Sequence, residues 1–100
     1  MNPSKVIRDR VVKLTDLPNI GKTMASDLHR IGIERPEQLT GQDPYKLYVQ
    51  FCNELGEKQD PCVLDVLMSI VDFMDGGEPQ AWWNYTPERK KCYGNRIAVL

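Results

Sequence analysis

Residues 17–33 read LPNIGKTMASDLHRIGI, and this stretch decides the fold of the chain. Pro18 disfavours helical backbone in the residue before it, so a helix arriving from the N-terminal side should end there. Asn19 and Gly21 tolerate the left-handed backbone that a tight turn requires. From Lys22 onward, apolar residues recur at helical spacing to the end of the stretch. The stretch therefore predicts a helix, a tight apolar hairpin and a second helix.

This predicted hairpin resembles the helix-hairpin-helix motif, whose turn usually reads leucine, proline, glycine, apolar, glycine. Asn19 stands where the motif most often has glycine. The first amides of the second helix, at Gly21, Lys22 and Thr23, lack intrahelical acceptors and lie at the positive end of the helix dipole. Helix N-termini of this kind bind phosphate. The residues predicted to form a DNA phosphate site are Asn19, Ile20, Gly21, Lys22, Thr23 and Arg30.

Charge is distributed unevenly along the chain, although the formal net charge is only -1. Residues 1–35 carry seven Lys and Arg against four Asp and Glu, whereas residues 36–80 carry two against nine. The hairpin therefore lies in a basic segment, which favours an anionic partner. The side chains expected on this basic face are Lys5, Arg8, Arg10, Lys13, Lys22 and Arg30. The alternatives are that these charges only form a solvated face and that the hairpin only packs two helices together.

Pairs of a capping residue and a proline mark the starts of further helices. These pairs are Asn2-Pro3, Asp43-Pro44, Asp60-Pro61 and Thr86-Pro87. The first pair predicts a helix that runs into the hairpin as its first arm, and the next two predict helices over about 44–55 and 61–74. One further turn is expected over 36–39. The fourth pair predicts a short basic helix that ends at Gly94, followed by a flexible tail over about 94–100.

The predicted helix at 61–74 is apolar around most of its circumference, which is typical of a helix at the centre of a core. Its narrow polar stripe of Asp65, Ser69 and Asp72 is expected to be solvated. No alternation of polar and apolar residues at strand spacing occurs over any length. The sequence therefore predicts an all-α bundle of five or six short helices, in a single domain over residues 1–100.

Three motifs, in this order, resemble the pathogenicity-locus protein family of bacteria, some of whose members are labelled mitomycin resistance proteins. Together the motifs cover about residues 14–91. The first is the hairpin, Leu17-Pro18-Asn19-Ile20-Gly21 through Gly32-Ile33. The second is Asp60-Pro61-Cys62-Val63-Leu64-Asp65 through Val71-Asp72-Phe73-Met74, and the third is Trp82-Trp83-Asn84-Tyr85-Thr86-Pro87-Glu88-Arg89. The resemblance implies a SAM-like helix-hairpin-helix domain without assigned enzymatic chemistry. The helices at 44–55 and 61–74 would stand in place of a second, degenerate hairpin unit. Because mitomycin damages DNA, the label is compatible with a role in DNA damage or drug resistance.

Other chemistries receive little support from the sequence. The three cysteines and His29 lack the close ligand pairs of a structural metal site, and an odd cysteine number does not suggest a disulfide framework. No nucleophile with an oriented base is evident. We therefore expect no catalytic residues, no metal, no cofactor and no small-molecule substrate. No N-terminal apolar run has the length of a signal peptide and no stretch approaches a membrane span, so we expect a reducing cytoplasm as the compartment.

Trp82 and Trp83 have two interpretations. Aromatic side chains in a loop can stack on bases or fill a pocket of a partner protein, but they can also close a small core. We expect at least one of them to join the core together with Tyr85. The leading hypothesis is a non-enzymatic module that binds the DNA backbone weakly and without sequence preference. The alternative is a protein–protein interaction domain that uses the acidic middle of the chain or the Trp82-Trp83 loop.

Overall fold

The computed structural model describes residues 2–98, which form α-helices and single 3-10 turns without any strand. The α-helices are α1 (Lys22–Arg30), α2 (Pro44–Leu55), α3 (Pro61–Met74) and α4 (Thr86–Ala98). The all-α prediction is confirmed for these residues. The predicted number of helices is wrong, since the described residues contain four α-helices rather than five or six.

Helix α3 lies at the centre of the core, as predicted. It packs against α2, α4 and the 3-10 turns at Pro36–Leu39 and Trp82–Tyr85. Most of its side chains are buried, and the buried apolar residues of the chain gather around it in one cluster. Burial of a large aliphatic side chain contributes about 1.5 to 3 kcal/mol. The position of α3 therefore determines where the other elements lie.

The predicted starts of α2 and α3 are also confirmed. The Tyr45 N–H donates to Asp43 Oδ1 at 2.9 Å, and the Cys62 N–H donates to Asp60 Oδ1 at 3.0 Å. Each aspartate caps a helix whose first residue is proline. Proline suits this position because it has no N–H that would be left unpaired. Helix α2 ends at Gly56, whose φ of 76° is the left-handed conformation of a C-terminal cap.

The segment before the hairpin is not the α-helix that the sequence predicts. It contains three single 3-10 turns, at Pro3–Lys5, Arg8–Arg10 and Leu14–Asp16. The residues between the turns are extended, and four of them are β-branched, which lowers helix propensity. These four are Val6, Ile7, Val11 and Val12. The first arm of the hairpin is therefore a single 3-10 turn.

Arg8 holds this N-terminal segment on the end of α3. Its guanidinium donates to the carbonyl of Phe73 and, at 2.6 Å, to the carbonyl of Gly77. The same group lies 4.2 Å from the centroid of the Phe73 ring. The last carbonyls of a helix lack intrahelical donors, so a cation there is favourable. Arg8 was expected on a phosphate-binding face, but its guanidinium is occupied by these carbonyls.

Helix α4 continues through Gly94 to Ala98, so the predicted end of this helix at Gly94 is wrong. Beyond that glycine, Ile97 is buried in the core. Just before it, the Tyr93 ring stacks on the Tyr45 ring with centroids 5.6 Å apart. These contacts offset the cost of a helical glycine, about 1 kcal/mol. The predicted tail is therefore helical as far as the structure describes it, and its last two positions lie outside the described residues.

The polar stripe of α3 is mostly buried, contrary to expectation. Asp65 has no exposed surface, and its carboxylate accepts from Arg89 Nε at 2.8 Å and from Thr86 Oγ1 at 2.6 Å. Ser69 is buried facing the hairpin, while Asp72 is exposed as predicted. The first two positions of the stripe thus face polar partners on other elements instead of water, which satisfies the rule that buried polar groups be paired.

Candidate anion-binding hairpin

The hairpin turn is anchored by its apolar residues. The side chains of Leu17 and Ile20 are almost completely buried. Pro18, which lies between them in the sequence, is buried as well. Asn19 has a φ of 67°, the left-handed conformation that the sequence predicts. Ile20 was predicted as part of the phosphate site, and it lies there as an apolar anchor beneath the turn.

The side chain of Asn19 points into the protein. Its Nδ2 donates to Ser69 Oγ at 2.9 Å and to the carbonyl of Gln80 at 2.8 Å. Its Oδ1 accepts from the backbone N–H of Trp82 at 3.2 Å. Asn19 therefore joins the turn to α3 and to the Trp82–Tyr85 turn, and it does not cover the outer face of the hairpin.

The outer face of the hairpin presents the first amides of α1. Gly21, Lys22 and Thr23 are exposed, and their N–H groups donate to no acceptor among residues 2–98. The first N–H bonded within this end of the helix belongs to Ala25, which donates to the Gly21 carbonyl at 3.0 Å. A Cβ at Gly21 would meet no atom within 4 Å. These amides are therefore accessible to an anion, and the exposed Lys22 adds a positive charge in the same turn of helix.

Arg30 does not lie at this site. It is the last residue of α1, and eight residues of helix separate it from Lys22 by about 12 Å. Its guanidinium lies 3.8 Å from the Glu54 carboxylate and also donates to the Glu54 carbonyl at 3.3 Å. The structure thus brings together Gly21, Lys22 and Thr23 and leaves Arg30 at the opposite end of the helix.

A cavity of about 310 Å³ lies beside the hairpin. Its lining residues are Pro3, Asn19, Ile20, Gly21, Trp82 and Trp83. The two indole rings meet edge to face, with centroids 5.5 Å apart. Trp82 packs against the core and Tyr85 is buried, as predicted, whereas Trp83 is 59% exposed. Sequence reasoning named these tryptophans and the hairpin separately and did not predict that they share one cavity.

Three acidic residues line a different cavity, of about 350 Å³. Asp72, Asp75 and Glu88 lie there with Tyr85, whose hydroxyl donates to Asp72 Oδ2 at 2.7 Å. Burial and this hydrogen bond raise the pKa of the Tyr85 hydroxyl above its ordinary value of 10. The described lining of the hairpin cavity contains no Asp or Glu. The hairpin cavity therefore suits an anion better than the acidic cavity, because none of its described lining residues is a carboxylate that would repel the anion.

The cysteines are distributed over three elements and are free. Cys52 and Cys62 are partly buried and Cys92 is exposed. Burial and a hydrogen bond with Asp60 raise the pKa of Cys62, which favours its protonated thiol. Within residues 2–98, no three His, Cys, Asp or Glu side chains are grouped as a metal ion would require. None of the helices in this range is long and apolar enough to cross a bilayer.

Comparison with known proteins identifies the family. The family model Cdd1, described as Pathogenicity locus, matches residues 7–91, which include the hairpin, α3 and both tryptophans. The "Mitomycin resistance protein McrB" of Streptomyces lavendulae is 45% identical over 78 residues, covering 78% of this chain and 74% of that protein. No solved structure matches the chain. The chain belongs to the pathogenicity locus family, as its three motifs predicted.

Proposed function

We propose that this protein is a non-enzymatic module that binds the DNA backbone weakly and without sequence preference. One observation carries the proposal. Gly21, Lys22 and Thr23 are exposed at the start of α1, and their N–H groups have no acceptor within residues 2–98. Gly21 also has no side chain that would block the approach of an anion. Backbone amides and a lysine bind a phosphate without contacting base edges, so such contacts position a protein and carry no sequence information.

The proposed unit is a shortened helix-hairpin-helix element within a SAM-like bundle. Its first arm is the 3-10 turn Leu14–Asp16, and its second arm is α1. Helices α2 and α3 take the place of a second unit, but their connection over 56–60 lacks the proline-apolar-glycine turn and contains two acidic residues against one lysine. One competent hairpin implies few phosphate contacts and therefore weak binding.

The resistance label of the relative fits this proposal. Mitomycin damages DNA, and the named "Mitomycin resistance protein McrB" shares 45% identity with this chain over a region that includes most of its length. We propose that this chain has a DNA-associated role in a bacterial cytoplasm, in connection with DNA damage or drug resistance. Three free thiols are compatible with that reducing compartment.

Reversal of the Lys22 charge tests the proposal. Binding of a short blunt duplex of mixed sequence is measured by fluorescence anisotropy at a series of salt concentrations, starting from low salt. We expect Lys22→Glu to weaken binding about tenfold and to reduce the slope of log affinity against log salt by about 0.9. Lys46→Glu is the matched control, since it makes the same charge change at an exposed position of α2. We expect this control to change the affinity less than threefold, because Lys46 lies outside the hairpin.

Gly21→Ala tests the approach to the amides without disturbing the fold. Gly21 has φ −97° and ψ −172°, which alanine adopts freely, and the new Cβ would meet no protein atom within 4 Å. We expect a slightly lowered melting temperature, because alanine is a poorer N-terminal cap than glycine, and weaker duplex binding, because the methyl group would stand between the amides and the phosphate. Wild-type protein that does not bind DNA, or equal affinities for wild type, Lys22→Glu and Gly21→Ala, would refute the proposal.

The alternative function is a protein-interaction domain, and the exposure of Trp83 favours it. A large aromatic side chain that is 59% exposed is typical of an anchor for a partner's pocket. In that case DNA affinity would be absent or insensitive to Lys22→Glu. Instead, a defined partner purified with the protein from its native host would be lost from Trp83→Ala and retained by Lys22→Glu.

A further inference from the structure

We propose that the cavity between the hairpin and the tryptophan pair holds one unpaired nucleobase, so that the protein prefers single-stranded DNA to duplex. The inference rests on the proposed function, because the hairpin amides would hold the phosphate of the same strand. It adds the chemical form of the DNA that the site selects and assigns a role to Trp83.

The position of Gly21 connects the cavity with the anion site. Gly21 is a wall residue of the cavity and also the N-terminal cap of α1. A ligand that occupies both places must carry an anionic group next to a flat apolar group. A nucleotide within a DNA strand has this arrangement, with Lys22 available to balance the phosphate charge.

The size of the cavity and the need for an uncovered base face favour one base over a base pair. About 310 Å³ is at the lower end of the volumes of small-molecule sites. A base inside a duplex is covered on both faces by its neighbours, so, away from the duplex ends, only an unpaired base can place a face against an indole. Stacking of this kind is tolerant of sequence because every base has a π face.

The tryptophans are arranged as a fixed ring and an open ring. Trp82 packs against the core, and its backbone N–H is bound by Asn19. Trp83 extends from it edge to face and remains mostly exposed. Neither indole N–H donates to an acceptor among the described residues, so both are available to oxygen or nitrogen acceptors of a base.

Asn19 keeps the two walls of the cavity together. Its backbone forms the hairpin turn, and its side chain binds the backbone at Gln80 and Trp82, where the cavity's second wall begins. The cavity is therefore held open before a ligand arrives, which lowers the cost of ordering on binding.

The test compares a single-stranded oligothymidylate with a duplex of the same length, using the full chain at low salt. We expect wild-type protein to bind the oligothymidylate about tenfold more tightly than the duplex. Trp83→Ala should weaken oligothymidylate binding by about five- to 150-fold, the range for loss of one stacked base, and leave duplex affinity within about twofold. Trp83→Phe should retain most of the affinity because phenylalanine still stacks.

Two controls separate this inference from the proposed function. Val12→Ala shortens another strongly exposed apolar side chain and should change neither affinity. Lys22→Glu should weaken both, because it removes the shared phosphate contact. If Lys22→Glu weakens binding while Trp83→Ala leaves oligothymidylate affinity unchanged, the base site is refuted and the backbone-binding function remains.

Three further outcomes would also overturn the base site. Equal weakening of duplex and oligothymidylate by Trp83→Ala would make Trp83 a general contact rather than a selector of unpaired bases. Thymidine monophosphate binding as tightly as the oligothymidylate would indicate a free-nucleotide site. If neither form of DNA binds the wild-type protein, the inference and the proposed function are both wrong.

Discussion

Asn19 meets two structural demands at one position of the hairpin. Its φ of 67° lies in the left-handed region, which asparagine tolerates better than most residues with a side chain. Its carboxamide also makes hydrogen bonds to Ser69, Gln80 and Trp82. The glycine that the motif usually has here would meet the first demand and provide none of the hydrogen bonds. The departure from the motif therefore stabilises the tertiary structure.

Substitutions of Asn19 should separate these two demands. Asn19→Gly removes the hydrogen bonds but keeps the turn geometry, and we expect a loss of about 2 kcal/mol in the free energy of unfolding. Asn19→Ala also forces alanine into the left-handed region, which adds about 1 kcal/mol. Both values are measured by urea denaturation. Asn95→Ala, at an exposed position of α4, is the control and should change stability by less than about 0.5 kcal/mol. An Asn19→Ala variant as stable as this control would contradict the role of Asn19.

At the scale of elements, tertiary contacts decide where α4 ends. Local rules predict an end at Gly94, because glycine is a poor helix former and a common C-terminal signal. The helix nevertheless continues, since Ile97 beyond the glycine is buried. Gly94 is thus a glycine inside a helix, where its conformational freedom is a cost and no turn requires it.

Two glycine-to-alanine substitutions should therefore act in opposite directions. Gly94→Ala should raise the free energy of unfolding by up to about 1 kcal/mol, because the Cβ meets no atom within 4 Å and helix propensity improves. Gly76→Ala should lower it by about 1 to 2 kcal/mol, because Gly76 has a φ of 110° that alanine rarely adopts. Thermal denaturation of the pair provides the measurement. A destabilising Gly94→Ala would indicate that α4 does not extend past residue 94.

At the scale of the whole molecule, a buried ion pair fastens α4 to α3. The Asp65 carboxylate has no exposed surface and is bound by Arg89 at 2.8 Å and by Thr86 at 2.6 Å. Only 13% of the Arg89 side chain is exposed. A buried charge that loses its partner is costly, whereas an apolar pair of similar size can replace both charges with little loss.

Arg89→Met should consequently lower the free energy of unfolding by about 3 to 5 kcal/mol, since it leaves the Asp65 carboxylate buried without its cation. The double variant Asp65→Leu/Arg89→Met should recover much of that loss, because it removes the unpaired charge as well. Urea denaturation of Arg89→Met, Asp65→Leu and the double variant measures the coupling, and the double variant remains informative if a single variant does not fold. Additive losses in the two steps would contradict the pairing.

The features that the sequence predicted by itself depend on residues that are close to one another in the chain. The caps Asp43 and Asp60 and the left-handed Asn19 act through their immediate neighbours in the chain, and the apolar circumference of α3 is a pattern within one short segment. Consequently the all-α class, the left-handed turn at Asn19 and the central helix follow from residue order alone, whereas the predicted first helix of the hairpin does not form.

Only the tertiary structure decided the features that depend on distant partners. The N-terminal segment is held by Arg8 on Phe73, 65 residues away, and Asn19 reaches Ser69 across 50 residues. The burial of Asp65 likewise depends on α4, 24 residues away. Local propensity does not include the energy of such contacts, because they exist only when the distant elements are packed together in the folded chain. The meeting of the hairpin amides with the tryptophan pair in one cavity is decided in the same way.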